Sequence, residues 1–128
     1  MPFEDAALPL QDILDAITAI EEFTRGITLD AFERDAKTAA AVERKLQVLS
    51  EAAIRLGDRA EVLCPGLPWP NIRGIGNWLR HEYHRVDSLT IWKTVTDGLP
   101  PLKDAVARAL ETPPGRLGSP ERTDDGED

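Results

Sequence analysis

A chain of 128 residues and 14.1 kDa has room for about one domain. Hydrophobic residues make up 41% of it, enough for a core, while a 5% aromatic content and scattered β-branched residues argue against a sandwich or barrel. Fifteen basic residues against 23 acidic ones give a net charge of −8, which excludes a broad electrostatic grip on nucleic acid but not one concentrated basic site.

No apolar run is long enough to span a bilayer. The opening Met-Pro-Phe-Glu-Asp is not a basic region followed by an apolar stretch, and the single Cys64 has no internal disulfide partner. These features lead to an expectation of a cytoplasmic protein in which Cys64 is a buried thiol rather than a nucleophile.

The first helix is expected over Leu10–Thr24, with Ile13, Leu14, Ile17 and Ile20 at three- and four-residue spacings and Gly26 as its stop. A short helical turn around Leu29–Phe32 follows. Asp35 is the expected N-cap of a long second helix, Ala36–Leu56, whose inner stripe is Val42, Leu46, Leu49, Ala53 and Leu56. Pro65, Pro68 and Pro70 mark residues 58–70 as a connector with one helical turn near Ala60. A third helix is expected over Asn71–Arg85. A fourth, capped by Asp87 or Ser88, runs through Leu89, Trp92 and Val95 to Gly98, and a fifth starts at Pro100–Pro101 with Leu102, Val106 and Leu110. The sequence therefore predicts an all-α fold, an antiparallel bundle of four to five helices over residues 1–112. Residues 113–128 carry a net charge of −3 and almost nothing apolar, so they are expected to form a disordered acidic tail.

The third helix concentrates the chemistry, because it holds both histidines of the chain. At about 100° per residue, Arg73, Asn77, Arg80, His81 and His84 fall within an arc of about 100°, while Ile72, Ile75, Leu79, Tyr83 and Val86 fall in a separate arc of about 80°. One side is core. The other combines forked donors for phosphate with side chains that exchange protons near neutral pH. A solvated helix face is the plainer reading; metal-free phosphodiester cleavage is the functional one.

Competing motifs are weaker. In Gly74-Ile75-Gly76 the third glycine position of a dinucleotide loop is Leu79 and no strand precedes it. His81, Glu82 and His84 have no further well-placed ligand except Asp87, and the arginines repel a cation, so neither a metal nor another cofactor is expected. Trp92 is expected in the core, whereas Trp78 lies outside the apolar arc and is expected to meet a partner subunit.

Pro68-Trp69-Pro70-Asn71-Ile72, Asn77-Trp78-Leu79-Arg80-His81-Glu82-Tyr83, Val86-Asp87 and Ile91-Trp92-Lys93-Thr94-Val95 through Leu99-Pro100 stand in an order and spacing that resembles the HepT-like proteins of the HEPN superfamily. Ile13-Leu14-Asp15-Ala16-Ile17, Ile20-Glu21-Glu22-Phe23-Thr24 and Leu49-Ser50-Glu51-Ala52-Ala53 are similar as well, so the resemblance covers residues 8–111. It implies an all-helical homodimer whose paired Arg-x(4–6)-His motifs form a metal-independent endoribonuclease cleft, with RNA and not DNA as substrate. It further implies the toxin half of a type VII-like pair, neutralised by a minimal nucleotidyltransferase antitoxin that transfers AMP to a tyrosine. On matching positions, His81 is the catalytic histidine, Tyr83 the AMP acceptor and Asn77 the polar residue after the motif arginine.

The chain departs from that pattern at one point. The arginine should precede Asn77, where Gly76 stands, and positions 74, 75 and 76 are Gly74, Ile75 and Gly76. Arg73 and Arg80 lie about one turn to either side, and one of them is expected to supply the missing cation, with His84 as a candidate helper. The alternative is a catalytically degenerate helical module that binds a nucleotidyltransferase partner or a nucleotide.

Overall fold

The computed structural model describes residues 4–81 and 87–111. After a 3₁₀ turn at Glu4–Ala6, helix α1 (Ala7–Thr24) buries Leu10, Ile13, Ile17 and Ile20, the face that their helical spacing brings together. The chain turns at Gly26, whose φ of +74° lies in the left-handed region that glycine adopts without strain. Helix α2 (Leu29–Glu33) is capped by Thr28, whose hydroxyl accepts a hydrogen bond from Ala31 N at 3.1 Å.

Helix α3 (Ala36–Leu56) starts where Asp35 caps it, as expected. Asp35 accepts from the Thr38 hydroxyl at 2.6 Å and from Thr38 N at 3.0 Å, and these bonds hold its carboxyl below the usual carboxylate range. Gly57 closes α3, and the single turn expected near Ala60 is helix α4 (Arg59–Leu63).

Helix α5 (Trp69–His81) begins two residues before the expected start. Its first turn tolerates Pro70, because N–H groups there have no intrahelical partner. Trp69 is fully buried and its indole N–H donates to Cys64 O at 2.8 Å, which fixes the entry of the helix. The expected continuation to Arg85 lies outside the described residues, as does the acidic tail.

Helix α6 (Ser88–Lys93) is capped by Asp87, which accepts from Leu89 N at 3.1 Å. The expected break before Pro100–Pro101 does not occur. A π-helical segment, Thr94–Gly98, joins α6 directly to helix α7 (Leu99–Glu111). The two prolines remove donors and crowd the carbonyls four residues earlier, at Thr96 and Asp97, and the wider π turn contains both carbonyls.

All regular structure among the described residues is helical. Helix α3 lies between α1 and α5, and α7 packs against α1. Arg55–Asp12 at 2.6 Å and Lys103–Glu21 at 2.9 Å bridge α3 and α7 to α1; these are partly exposed pairs that set register more than stability. Helix α2 leans on α3 and α6, where the rings of Phe32 and Trp92 meet with centroids 5.3 Å apart. Cys64 is buried, and burial pushes its thiol pKa up, which keeps it out of the reactive thiolate form. No helix among the described residues is long and apolar enough to cross a membrane.

Candidate functional site

Two features of α3 decide how α5 is presented. The first is Ser50, the one buried polar side chain among the described residues, at 1% exposure. Its hydroxyl donates to Arg73 O at 2.8 Å and accepts from Gly76 N at 3.0 Å, so a single side chain brackets one turn of α5. The second is the C-terminal carbonyl of Gly57, which accepts from Arg73 Nη1 at 3.3 Å. The end of α3 therefore sits by the first half of α5, and the two helices run antiparallel.

The polar face of α5 divides accordingly. Arg73 turns toward the helix N-terminus, the direction in which helical side chains tilt, and Glu61 of α4 takes its guanidinium at two points, 2.7 Å and 3.3 Å. That pairing, chiefly through hydrogen bonding, holds the Glu61 carboxyl below the usual carboxylate range and pushes the Arg73 pKa up. Asn77, Arg80 and His81 remain exposed on α5, and none of the three makes a side-chain hydrogen bond or ion pair with another described residue. Tyr83 and His84 lie outside the described residues.

Gly76 is buried at the seam between α5 and α3. A Cβ built there would lie 3.1 Å from the Ser50 hydroxyl and 3.6 Å from Nη1 of Arg80. Arg80, one turn later, thus lays its guanidinium back over Gly76, an i,i+4 approach that the N-terminal tilt of helical side chains favours. Of the two candidate cations, Arg73 is committed to Glu61, whereas Arg80 stands over Gly76 next to the exposed His81.

Such an arrangement offers a forked donor for a phosphate and an imidazole for proton transfer, presented to solvent on one helix. Among the described residues, no group of three or more histidine, cysteine or acidic side chains is placed to hold a metal ion.

The profile of the family described as "Ribonuclease HepT-like" matches residues 13–109, from the second turn of α1 to the last turn of α7. The chain belongs to the HepT-like ribonuclease family. It is 40% identical over 94 residues, 73% of this chain and 86% of the other, to "Probable ribonuclease HepT" of Thermococcus cleftensis. Two proteins of Methanocaldococcus jannaschii, each described as a "Putative RNase", are 34% identical over 78% of this chain and 83% of theirs, and 30% identical over 83% and 97%. No solved structure matches the chain significantly.

Within this HepT-like fold, the sequence left three site features unread. Ser50 follows Leu46 by four residues and thus belongs to the inner stripe of α3, but a serine in a helix gives no sign of which neighbour it grips. Glu61 sits in a five-residue helix whose placement no periodicity fixes. Trp78, placed outside the apolar arc by the helical wheel, is half-buried and packs against the core of its own chain. An apolar groove of about 390 Å³, lined by Leu49, Asn71, Ile72, Ile75, Leu99 and Leu102 among others, opens on the side of α5 opposite Arg80 and includes none of the polar cluster.

Proposed function

We propose that this HepT-like protein is a metal-independent endoribonuclease in which Arg80 replaces the absent motif arginine beside His81. The observation that carries this reading is the guanidinium of Arg80 lying over Gly76, 3.6 Å from where a side chain would begin, with no ion-pair partner among the described residues.

The chemistry is internal transesterification. A ribose 2′-hydroxyl attacks the adjacent phosphate, a 2′-oxygen–phosphorus bond forms and the bond to the 5′-oxygen breaks. His81 takes or returns the proton, and the forked donors of Arg80 stabilise charge on the phosphate oxygens. Asn77, exposed on the same face, supplies a neutral amide toward the RNA backbone. Arg73 serves at a distance, by holding α5 to α4 through Glu61. His84 is a candidate second proton carrier.

The wider reading follows the family resemblance. The protein acts in the cytoplasm as a homodimer and as the toxin of a type VII-like pair, and its partner is a minimal nucleotidyltransferase that transfers AMP to Tyr83. An AMP group there adds bulk and negative charge two residues from His81, which opposes RNA binding both sterically and electrostatically.

Cleavage of a short RNA by the wild type, His81→Ala, Arg80→Ala and Arg73→Ala tests the core of the proposal. Loss of activity of about 10²–10³-fold is expected for His81→Ala and Arg80→Ala, with Arg73→Ala close to wild type. Activity should survive EDTA and be absent on all-deoxy substrates. Equal background cleavage by all four proteins overturns the enzyme and leaves a non-catalytic helical module. Intact-mass measurement after incubation with the nucleotidyltransferase and ATP tests the modification, which should disappear in Tyr83→Phe.

A further inference from the structure

We infer that Ser50 is a positioning residue that selects which arginine serves the site: by filling the α3 side of the seam against residue 76, it makes Arg80 the working cation. This rests on the ribonuclease reading above and adds a residue to it from a different helix.

The hydroxyl of Ser50 is bonded at both its donor and its acceptor positions, to Arg73 O at 2.8 Å and Gly76 N at 3.0 Å. Both backbone groups lie inside α5, where helical hydrogen bonds already serve them. Ser50 therefore does not rescue an orphaned group; it draws α5 against α3 at this level, and Gly76 is what permits the approach. The space a side chain at 76 would enter is shared by two occupants, the Ser50 hydroxyl at 3.1 Å and the Arg80 guanidinium at 3.6 Å. An arginine at 76 has to push aside the first and, being of like charge, repel the second. Positions 50, 76 and 80 are thus exclusive alternatives: a hydroxyl at 50 goes with a bare 76 and a guanidinium reaching back from 80.

Ser50 is also the removable obstacle. Its Cβ lies 3.5 Å from the Cβ position of residue 76, an ordinary van der Waals distance, so only the hydroxyl stands in the way. Ser50→Ala combined with Gly76→Arg opens the seam without a glycine in the middle of α3 and returns a guanidinium to position 76.

The test measures kcat and KM for cleavage of one short RNA, with melting temperatures as the folding control. It compares Arg80→Ala in the wild-type background and in the Ser50→Ala/Gly76→Arg background. In the wild-type background Arg80→Ala should lower kcat by about 10²–10³-fold. In the double-substituted background the same change should have little effect, because the arginine at 76 has taken over. Gly76→Arg alone should lower the melting temperature more than the double variant does. With Ser50 retained, Gly76→Arg alone should still depend on Arg80; if Arg80→Ala is harmless there as well, Ser50 does not select the arginine, and that result overturns the inference while the ribonuclease reading stands. If the double variant cleaves RNA and the wild type does not, the ribonuclease reading of the natural chain falls and the exclusion at position 76 survives. If folded forms of both are inactive, both fall.

Discussion

Arg73 and Glu61 are joined at two points, Nη2 to Oε2 at 2.7 Å and Nη1 to Oε1 at 3.3 Å, and the same guanidinium also reaches Gly57 O at 3.3 Å. An arginine so engaged ties α5 to α4 and to the end of α3. Glu61→Gln is therefore expected to lower the melting temperature slightly near pH 7. Hydrogen bonding from Arg73 depresses the Glu61 pKa in the folded chain, so the stabilisation is present above the ordinary carboxylate pKa of about 4.3 and is lost as pH falls through the depressed value. Melting curves of wild type and variant should converge in acid. A gap that persists there assigns the loss to something other than this pair.

Ser50 and Gly76 should couple in stability as well as in function. Ser50→Ala removes two hydrogen bonds at a buried site and is expected to cost about 1–2 kcal/mol, read by urea unfolding. Gly76→Ala offers a helix-propensity gain of about 1 kcal/mol, but in the natural chain the new Cβ meets the Ser50 hydroxyl at 3.1 Å. The substitution should therefore be destabilising in the wild type and stabilising once Ser50 is alanine. Additive effects in a double-mutant cycle contradict the close approach.

The bundle was readable because its signals are local. Asp35 and Thr38 mark the start of α3, and the spacing of Val42, Leu46, Leu49, Ala53 and Leu56 assigns its inner face. The π-helical junction at Thr94–Gly98 was not readable, because Pro100–Pro101 normally signals a fresh start and only the surrounding packing holds the chain helical through it. At the site, position on the α5 wheel put Arg73, Asn77, Arg80 and His81 on one face. It could not separate the two arginines, since that depends on where α4 carries Glu61. Nor could it show that Gly76 faces a serine from 26 residues earlier in the chain.

Burial pushes the pKa of the Glu43 carboxyl up, and the side chain makes no hydrogen bond or ion pair with another described residue. A raised folded-state value means that ionising Glu43 opposes folding, so its cost is present at neutral pH, fades as pH falls through the raised folded-state value and is absent below the ordinary carboxylate value. Glu43→Gln keeps the shape without the charge. It is expected to raise the melting temperature at pH 7 and to change it little near pH 4. An equal or larger gain in acid rules out desolvation of the carboxylate as the cause.

Arg80→Lys separates charge from geometry at the proposed cleavage site. Lysine keeps the positive charge but has a compact ammonium in place of the planar fork, and its shorter reach leaves it poorly placed to span the turn back over Gly76. If the guanidinium stabilises charge that develops on two phosphate oxygens in the transition state, the lysine variant should bind RNA nearly as well as wild type. Its kcat should fall about tenfold or more, because a point charge cannot follow both oxygens as they rearrange. Binding measured on a 2′-O-methyl analogue, which cannot react, and cleavage measured on the matching RNA supply the two halves of the comparison at one ionic strength. Parallel losses in binding and rate indicate that Arg80 merely attracts the polyanion. A lysine variant as fast as wild type removes the forked contact from the mechanism.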